Sequence, residues 1–460
     1  MSASSPRQLV VVGGNAAGMS AASKARRVDP AAKIIVVERG RYVSYGACGI
    51  PYLVAGYIEN PEDLLTYPLT EFTTNRRIEV LLEHEALCLD TGAARVEVSG
   101  TVDQRRTWLD YDALVLATGA RASSFSGGRD LPGVFTVRTL DDGIAMLRFL
   151  ARGRPSTATV VGAGPLGLEM AEALATRGLR VTVLDALPRI LPGFSDAAAG
   201  VVLSEMRDRG VECLTGEQVL NCEGDEHVSA VVTPSRTIPA DMVVMAAGAR
   251  PCSELACAAG LRLGPSGAIS VDQEMRTSVD QVYAAGDCAT VTHLVSRREV
   301  YIPRATTANK QGRVAGENAA GGRARLPGVL GSTVFKFFDL EVGRVGLNAA
   351  EAREAGFDAA SASIRGRSRA SYYPGARPVD VTLTADASTG RLLGAEMTGA
   401  EIAKRLDVVA AAIHAGQSCD DLAHLDMSYA PPFAPVWDPV VQAALEMHKG
   451  LRRPVQPPGA

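Results

Sequence analysis

The chain has 460 residues, room for about three domains, and its 47% hydrophobic and 21% charged content excludes a disordered chain. Lys and Arg total 47 against 51 Asp and Glu, a net charge of −4, which excludes a protein built chiefly to grip nucleic acid or an anionic membrane. No apolar run approaches the ~20 residues that span a bilayer, and Met1–Gln8 lacks the apolar centre of a secretory signal, so a soluble, cytoplasmic protein is expected.

The first predicted elements are strand, glycine turn, helix and strand. Leu9–Val12 is a β-branched run, Gly13-Gly14-Asn15-Ala16-Ala17-Gly18 follows, Met19–Arg27 continues as helix, and Lys33–Val37 is a strand ending in Glu38. This is a dinucleotide-binding layout: glycines permit the tight turn, the helix N-terminus faces a pyrophosphate, and the acid accepts from a ribose diol. Asn15 stands where the middle glycine is usual.

The layout recurs. Ala158–Val161 leads into Gly162-Ala163-Gly164-Pro165-Leu166-Gly167, a helix over Leu168–Arg177, and a strand Val181–Leu184 ending in Asp185. Two such units in one chain are far more specific than one, and they predict an α/β protein with two doubly wound nucleotide-binding domains. Ala113–Thr118 and Met242–Ala247 read as further strands, each closed by a glycine turn at Gly119 and Gly248, and Val282–Asp287 as a short strand with an acid at its carboxyl end. Beyond about residue 330, strands over Val334–Phe338, Val342–Leu347, Val379–Thr384 and Leu392–Thr398, then a helix over Ile402–Ala415, indicate a separate α+β domain. The Pro-rich tail 451–460 is expected to be disordered.

The eight cysteines include no CxxC pair, so neither a disulfide scaffold nor a zinc site is indicated and no metal is expected. Cys48 stands apart from the rest. It lies in Ser44-Tyr45-Gly46-Ala47-Cys48-Gly49-Ile50-Pro51-Tyr52, between glycines, just ahead of a helix that Pro51 is placed to open. A cysteine there sees the positive end of the helix, which is expected to lower its pKa and favour the thiolate.

With these residues in view, the chain resembles the pyridine-nucleotide-disulfide oxidoreductases, and within them the single-cysteine coenzyme A disulfide reductases. The match runs from about Leu9 to Lys449 and includes Gly13–Ala22, Ser44–Tyr52, Gly162–Glu169, Tyr283–Asp287, Asn309–Arg313, Tyr372–Gly375 and Tyr429–Phe433. Glutathione-reductase-like relatives use a Cys-x4-Cys pair; here Cys48 has no such neighbour, and no His-Glu pair appears near the C-terminus. The resemblance implies an FAD-binding domain over 1–120 and 251–328, an NAD(H)-binding domain over 121–250, and a C-terminal dimerisation domain over 329–450 that closes a homodimer. It implies FAD contacts from Gly13, Asn15, Ala16, Ala17, Gly18, Glu38, Arg39, Ala117, Thr118, Gly119, Gly286 and Asp287. NADH contacts are implied for Gly162, Gly164, Pro165, Leu166, Gly167, Glu169, Asp185 and Gly248. Asp185 at a ribose 2′-OH would repel a 2′-phosphate, so NADH is expected over NADPH.

The same resemblance implies that NADH reduces a low-molecular-weight disulfide, persulfide or polysulfide by way of FAD and a Cys48 mixed disulfide. Tyr372 and Tyr429 match tyrosines that enter the neighbouring subunit's site, although a tyrosine beside prolines also suits interface packing. Lys24, Arg27 and Ser44 occupy positions that contact coenzyme A in the family; Lys24 and Arg27 equally suit a solvated helix C-terminus. Ala47 stands where those reductases often carry Asn, a departure that bears on coenzyme A disulfide as substrate. An NADH oxidase or peroxidase cycling Cys48 through sulfenic acid, a reductase of ferredoxin or rubredoxin, and a redox sensor remain alternatives at this level.

Overall fold

The structure is a computed structural model that describes residues 6–123 and 127–452. Most of the expected tail, 453–460, lies outside the described residues, whereas its first two residues close the helix Pro439–Arg452.

Two five-stranded parallel sheets carry the two glycine turns. The first runs Val282–Ala284, Ala113–Leu116, Gln8–Val12, Lys33–Val37, Glu79–Leu81; the second runs Glu212–Thr215, Arg180–Asp185, Thr157–Val161, Met242–Met245, Val134–Thr136. Their central strands are β-branched runs with almost no polar interruption, as parallel strands covered on both faces require. A two-stranded antiparallel link, Ala120–Ala122 against Ala249–Pro251, carries the chain out of the first sheet's unit and back. The third sheet is antiparallel, in the order Thr333–Phe337, Leu340–Gly346, Leu392–Gly399, Pro378–Asp386, Ala359–Arg367. Its edge strand Ala359–Arg367 was not foreseen: AASASIRGR alternates small, polar and charged residues and buries little. No helix among the described residues is long and apolar enough to cross a membrane.

Helices Ala16–Val28 and Ala305–Ala319 pack backbone to backbone over the first sheet. A Cβ at Gly312 would lie 2.2 Å from the Ala17 carbonyl oxygen, and one at Gly316 would lie 2.1 Å from that of Ala21. Gly312→Ala is therefore expected to push the helices apart and cost about 1–3 kcal/mol, read as a lowered denaturation midpoint; an unchanged midpoint would refute this close crossing.

The helix after Cys48 does not pack within its own unit. Ile50, Leu53 and Val54 are buried in the same core as Leu168, Met170 and Leu174 of the second nucleotide unit and Phe335 and Phe337 of the C-terminal sheet. That placement sets the cysteine at the junction of all three regions.

Candidate active site

At the first turn, Gly13 adopts φ +110°, which a side chain rarely takes, and its Cα faces the Ala117 carbonyl so closely that a Cβ would sit 2.1 Å away. Asn15 precedes the helix and leaves its side chain free to accept the Tyr45 N–H at 3.2 Å, tying the cysteine loop to the turn. The N–H groups of Ala16, Ala17 and Gly18 find no acceptor in the chain among the described residues, the orphan donors that a pyrophosphate accepts. Glu38 is held at the strand end by the N–H groups of Gly14 at 2.6 Å and Gly40 at 2.7 Å. Gly119, at φ +70°, has no atom within 4 Å of where a Cβ would lie, an open face in the turn after the neighbouring strand. The Thr118 hydroxyl donates to the Cys252 carbonyl, and Arg39 turns outward to Glu85.

The second turn repeats this geometry. Gly162 has φ +110°, Gly164 faces open space, and Gly167 packs against the Gly162 carbonyl. Pro165 and Leu166 begin the helix Pro165–Thr176. Asp185 accepts from Ala163 N–H at 2.7 Å and Leu187 N–H at 2.8 Å, while Arg189 is engaged by Asp196 and the Phe194 carbonyl. Gly248, at φ +100°, accepts from Ser123. Open glycine faces, orphan helix donors and a strand-end carboxylate fit one dinucleotide in each unit.

Cys48 lies in the single 3₁₀ turn Ala47–Gly49, followed by the six-residue helix Ile50–Ala55, in which Pro51 is the second residue. The thiol is accessible to solvent and forms no disulfide. The expectation of a lowered pKa is not met. The surrounding protein mass pushes the thiol up, Glu169 and Asp287 push it further, and Arg138 and Arg304 only partly offset them; one short helix does not outweigh that. Asp287 is itself held by Arg138 at 3.0 Å, and the Gly286 N–H donates to Gln311.

Glu169 reaches this site from the second unit, where the Tyr52 hydroxyl donates to its Oε1 at 3.0 Å. Burial, opposed by the Tyr52 bond and reinforced by Glu172, raises its carboxyl from 4.5 to about 7. Between those values the folded protein keeps a proton that the unfolded chain releases, so stability falls as pH rises through that window. Glu169→Gln keeps an acceptor for Tyr52 and removes the charge. It is expected to be more stable than the parent at pH 8 by up to about 3 kcal/mol, the advantage vanishing near pH 4.5, by urea denaturation.

Neither tyrosine of the C-terminal domain is among the groups acting on Cys48 within one chain. Tyr372 and Tyr429 are exposed, and their hydroxyls meet at 3.2 Å. Lys24 is paired with Glu317 at 2.8 Å, leaving Arg27 exposed and without an ion pair among the described residues. The Ser44 backbone, at φ 54°, bonds Gly14 and Thr66. Tyr52 stood in the Ser44–Tyr52 match with no role assigned to it, and Arg138 and Arg304 were missed, since a lone arginine in the sequence carries no signal of its eventual neighbours.

Two dinucleotide sites meeting at an accessible cysteine define a flavin- and nicotinamide-dependent oxidoreductase. The family described as pyridine nucleotide-disulphide oxidoreductase matches residues 7–312, and its dimerisation domain matches 332–439. The chain belongs to this family, and it is an FAD-dependent NAD(P)H oxidoreductase. It is 41% identical to the NAD(P)H sulfur oxidoreductase (CoA-dependent) of Pyrococcus abyssi, over 95% of this chain and 97% of that one. It is 29% identical to a coenzyme A disulfide reductase of Staphylococcus aureus, over 93% and 96%. The solved NAD-dependent persulfide reductase from A. fulgidus superposes with a TM-score of 0.92 at 39% identity, covering 96% of this chain and 83% of that one.

Proposed function

We propose that this protein uses NADH to reduce persulfides or disulfides of coenzyme A, with Cys48 as the sulfur that reacts. The observation carrying this reading is one accessible cysteine set where the two nucleotide units and the C-terminal sheet share a core. The relatives' names point to the same substrates. Bound FAD supplies the two-electron relay between nicotinamide and sulfur. The chain's own residues do the rest. The two turns hold the dinucleotides, the Tyr52–Glu169 bond fixes the cysteine helix against the second unit, and Cys48 forms and releases the mixed disulfide. For a disulfide the balance is R–S–S–R plus NADH plus one proton giving two R–SH and NAD⁺.

On this reading residues 1–120 with 251–328 bind FAD, 121–250 bind NADH, and 329–450 form a homodimer, in the cytoplasm. Across that dimer Tyr372 and Tyr429 of each protomer approach the partner's thiol and donate to a leaving thiolate. Arg27 and Ser44 contact coenzyme A, and Lys24 joins them only when freed from Glu317. NADH is favoured because Asp185 offers a carboxylate where a 2′-phosphate would sit, and Arg189 is committed elsewhere.

The test is NADH and NADPH consumption with coenzyme A persulfide, coenzyme A disulfide, oxygen and peroxide, alongside intact-mass measurement of the resting protein. Turnover of sulfur substrates with NADH preferred, and a reductant-labile thiol adduct at Cys48, are expected. Oxygen or peroxide as the sole acceptor, with only added oxygen on Cys48, would replace this reading with an oxidase.

A further inference from the structure

The segment that follows Asp185 is gripped by the C-terminal sheet. Arg344 on the strand Leu340–Gly346 and Glu396 on Leu392–Gly399 stand directly opposite each other in that sheet. Opposite charges so placed usually pair with one another. Here Arg344 pairs with Glu351 and donates to the Gly193 carbonyl, which the Asn348 amide also meets at 3.1 Å. Glu396 accepts the Ser195 N–H at 2.8 Å and the Ser195 hydroxyl. Between these two anchors lies Phe194, buried and edge-on to Phe335 of the same sheet.

The grip sets a direction as well as a position. The Phe194 carbonyl and the Ser195 N–H belong to one trans peptide, so they point opposite ways. With the N–H held by Glu396, the carbonyl is aimed at Arg189, whose Nη2 donates to it. Arg189 also pairs with Asp196 at 3.0 Å, but the Asp196 side chain is 89% exposed, and such a pair holds a guanidinium weakly. The carbonyl is therefore the main anchor. Arg189 lies four residues past Asp185, and its segment returns to the same glycine turn. Ala163 of that turn donates its N–H to Asp185 at 2.7 Å and accepts the Leu191 N–H on its carbonyl at 3.0 Å. An arginine near the strand-end acid is the group that accommodates a 2′-phosphate in dinucleotide-binding domains of this kind.

We propose that Glu396 is a specificity-determining residue for the nicotinamide nucleotide: from the C-terminal sheet it aims the Phe194 carbonyl that keeps Arg189 from a 2′-phosphate. Glu396 touches no nucleotide and acts as a positioning residue. The inference rests on the second unit being the NADH site, and it names what withholds the arginine that NADPH would need.

The experiment measures ferricyanide reduction by holoenzyme with NADH and with NADPH, a readout that needs neither Cys48 nor a sulfur substrate. In Glu396→Ala the ratio of kcat/KM for NADPH to that for NADH should rise about tenfold, carried by a lower KM for NADPH rather than by kcat. Glu396→Gln keeps an acceptor for the Ser195 N–H, and its ratio should stay within about twofold of the parent's. Adding Arg189→Ala to Glu396→Ala should erase the gain, while Arg189→Ala alone should leave the parent ratio within about twofold. Arg189 is exposed, so this last variant tests the proposal even if loss of Glu396 impairs folding. An unchanged ratio in Glu396→Ala, an equal rise in Glu396→Gln, a gain that survives the loss of Arg189, or a drop in NADPH use from Arg189→Ala alone overturns the proposal. A parent that prefers NADPH sinks the nucleotide preference of the proposed function instead; the variant ratios, each taken against the parent, still read the role of Glu396.

Discussion

Cys48→Ser protein is expected to keep its flavin and its NADH affinity while losing reduction of sulfur substrates by about 10³-fold or more. Serine matches the cysteine in size, and the Gly46–Gly49 and Gly49–Leu64 packing around it tolerates the exchange. Its hydroxyl, however, neither ionises near neutral pH nor forms a disulfide. No other cysteine replaces it. Cys222, Cys288 and Cys419 are buried, Cys88 lies on the outlying strand His84–Asp90, and none of the eight is bonded to another. One-electron dyes need no thiol, so ferricyanide reduction by NADH should survive. Sulfur reduction that persists in the serine protein would move the chemistry away from Cys48 and favour a plain electron-transfer flavoprotein.

What the sequence made legible was what local physics writes into consecutive residues. Both glycine turns, their strands and their terminal acids appear in register, because a tight turn, a positive φ and close helix packing leave few residue choices. Element ends shifted by a few residues; the helix expected over Met19–Arg27, for instance, spans Ala16–Val28. The placement of the cysteine helix was not legible. Ile50, Leu53 and Val54 read as an apolar helix face, and nothing in their spacing says the face belongs to the second unit's core. Tyr52 and Glu169 stand 117 positions apart. The upward push on Cys48 comes first from the protein packed around it and then from Glu169 and Asp287, 121 and 239 positions away along the chain, so a reading confined to neighbouring residues weighed only the short helix.

Arg405→Met should cost about 3–5 kcal/mol of stability and slow turnover without stripping the flavin. Arg405 on the helix Ala403–His414 is 7% exposed and Asp438 is 5% exposed, and they pair at 2.8 Å. The same guanidinium donates to the carbonyls of Glu401 at 2.8 Å and Ser368 at 2.7 Å, and reaches that of Phe433. Ser368 begins the segment that carries Tyr372, and Phe433 ends the one that carries Tyr429. One buried cation thus holds both tyrosine segments in place for the hydroxyl contact between them. Methionine fills the volume of the stem but abandons the Asp438 carboxylate, which then lies buried with only the Val440 N–H as donor. Adding Asp438→Asn should recover part of the stability, since the stranded charge is removed, but not the turnover, since the carbonyls remain unheld. Denaturation midpoints and kcat for the single and double variants separate the two effects. Full activity in the single variant would mean that the tyrosine segments hold their positions without Arg405.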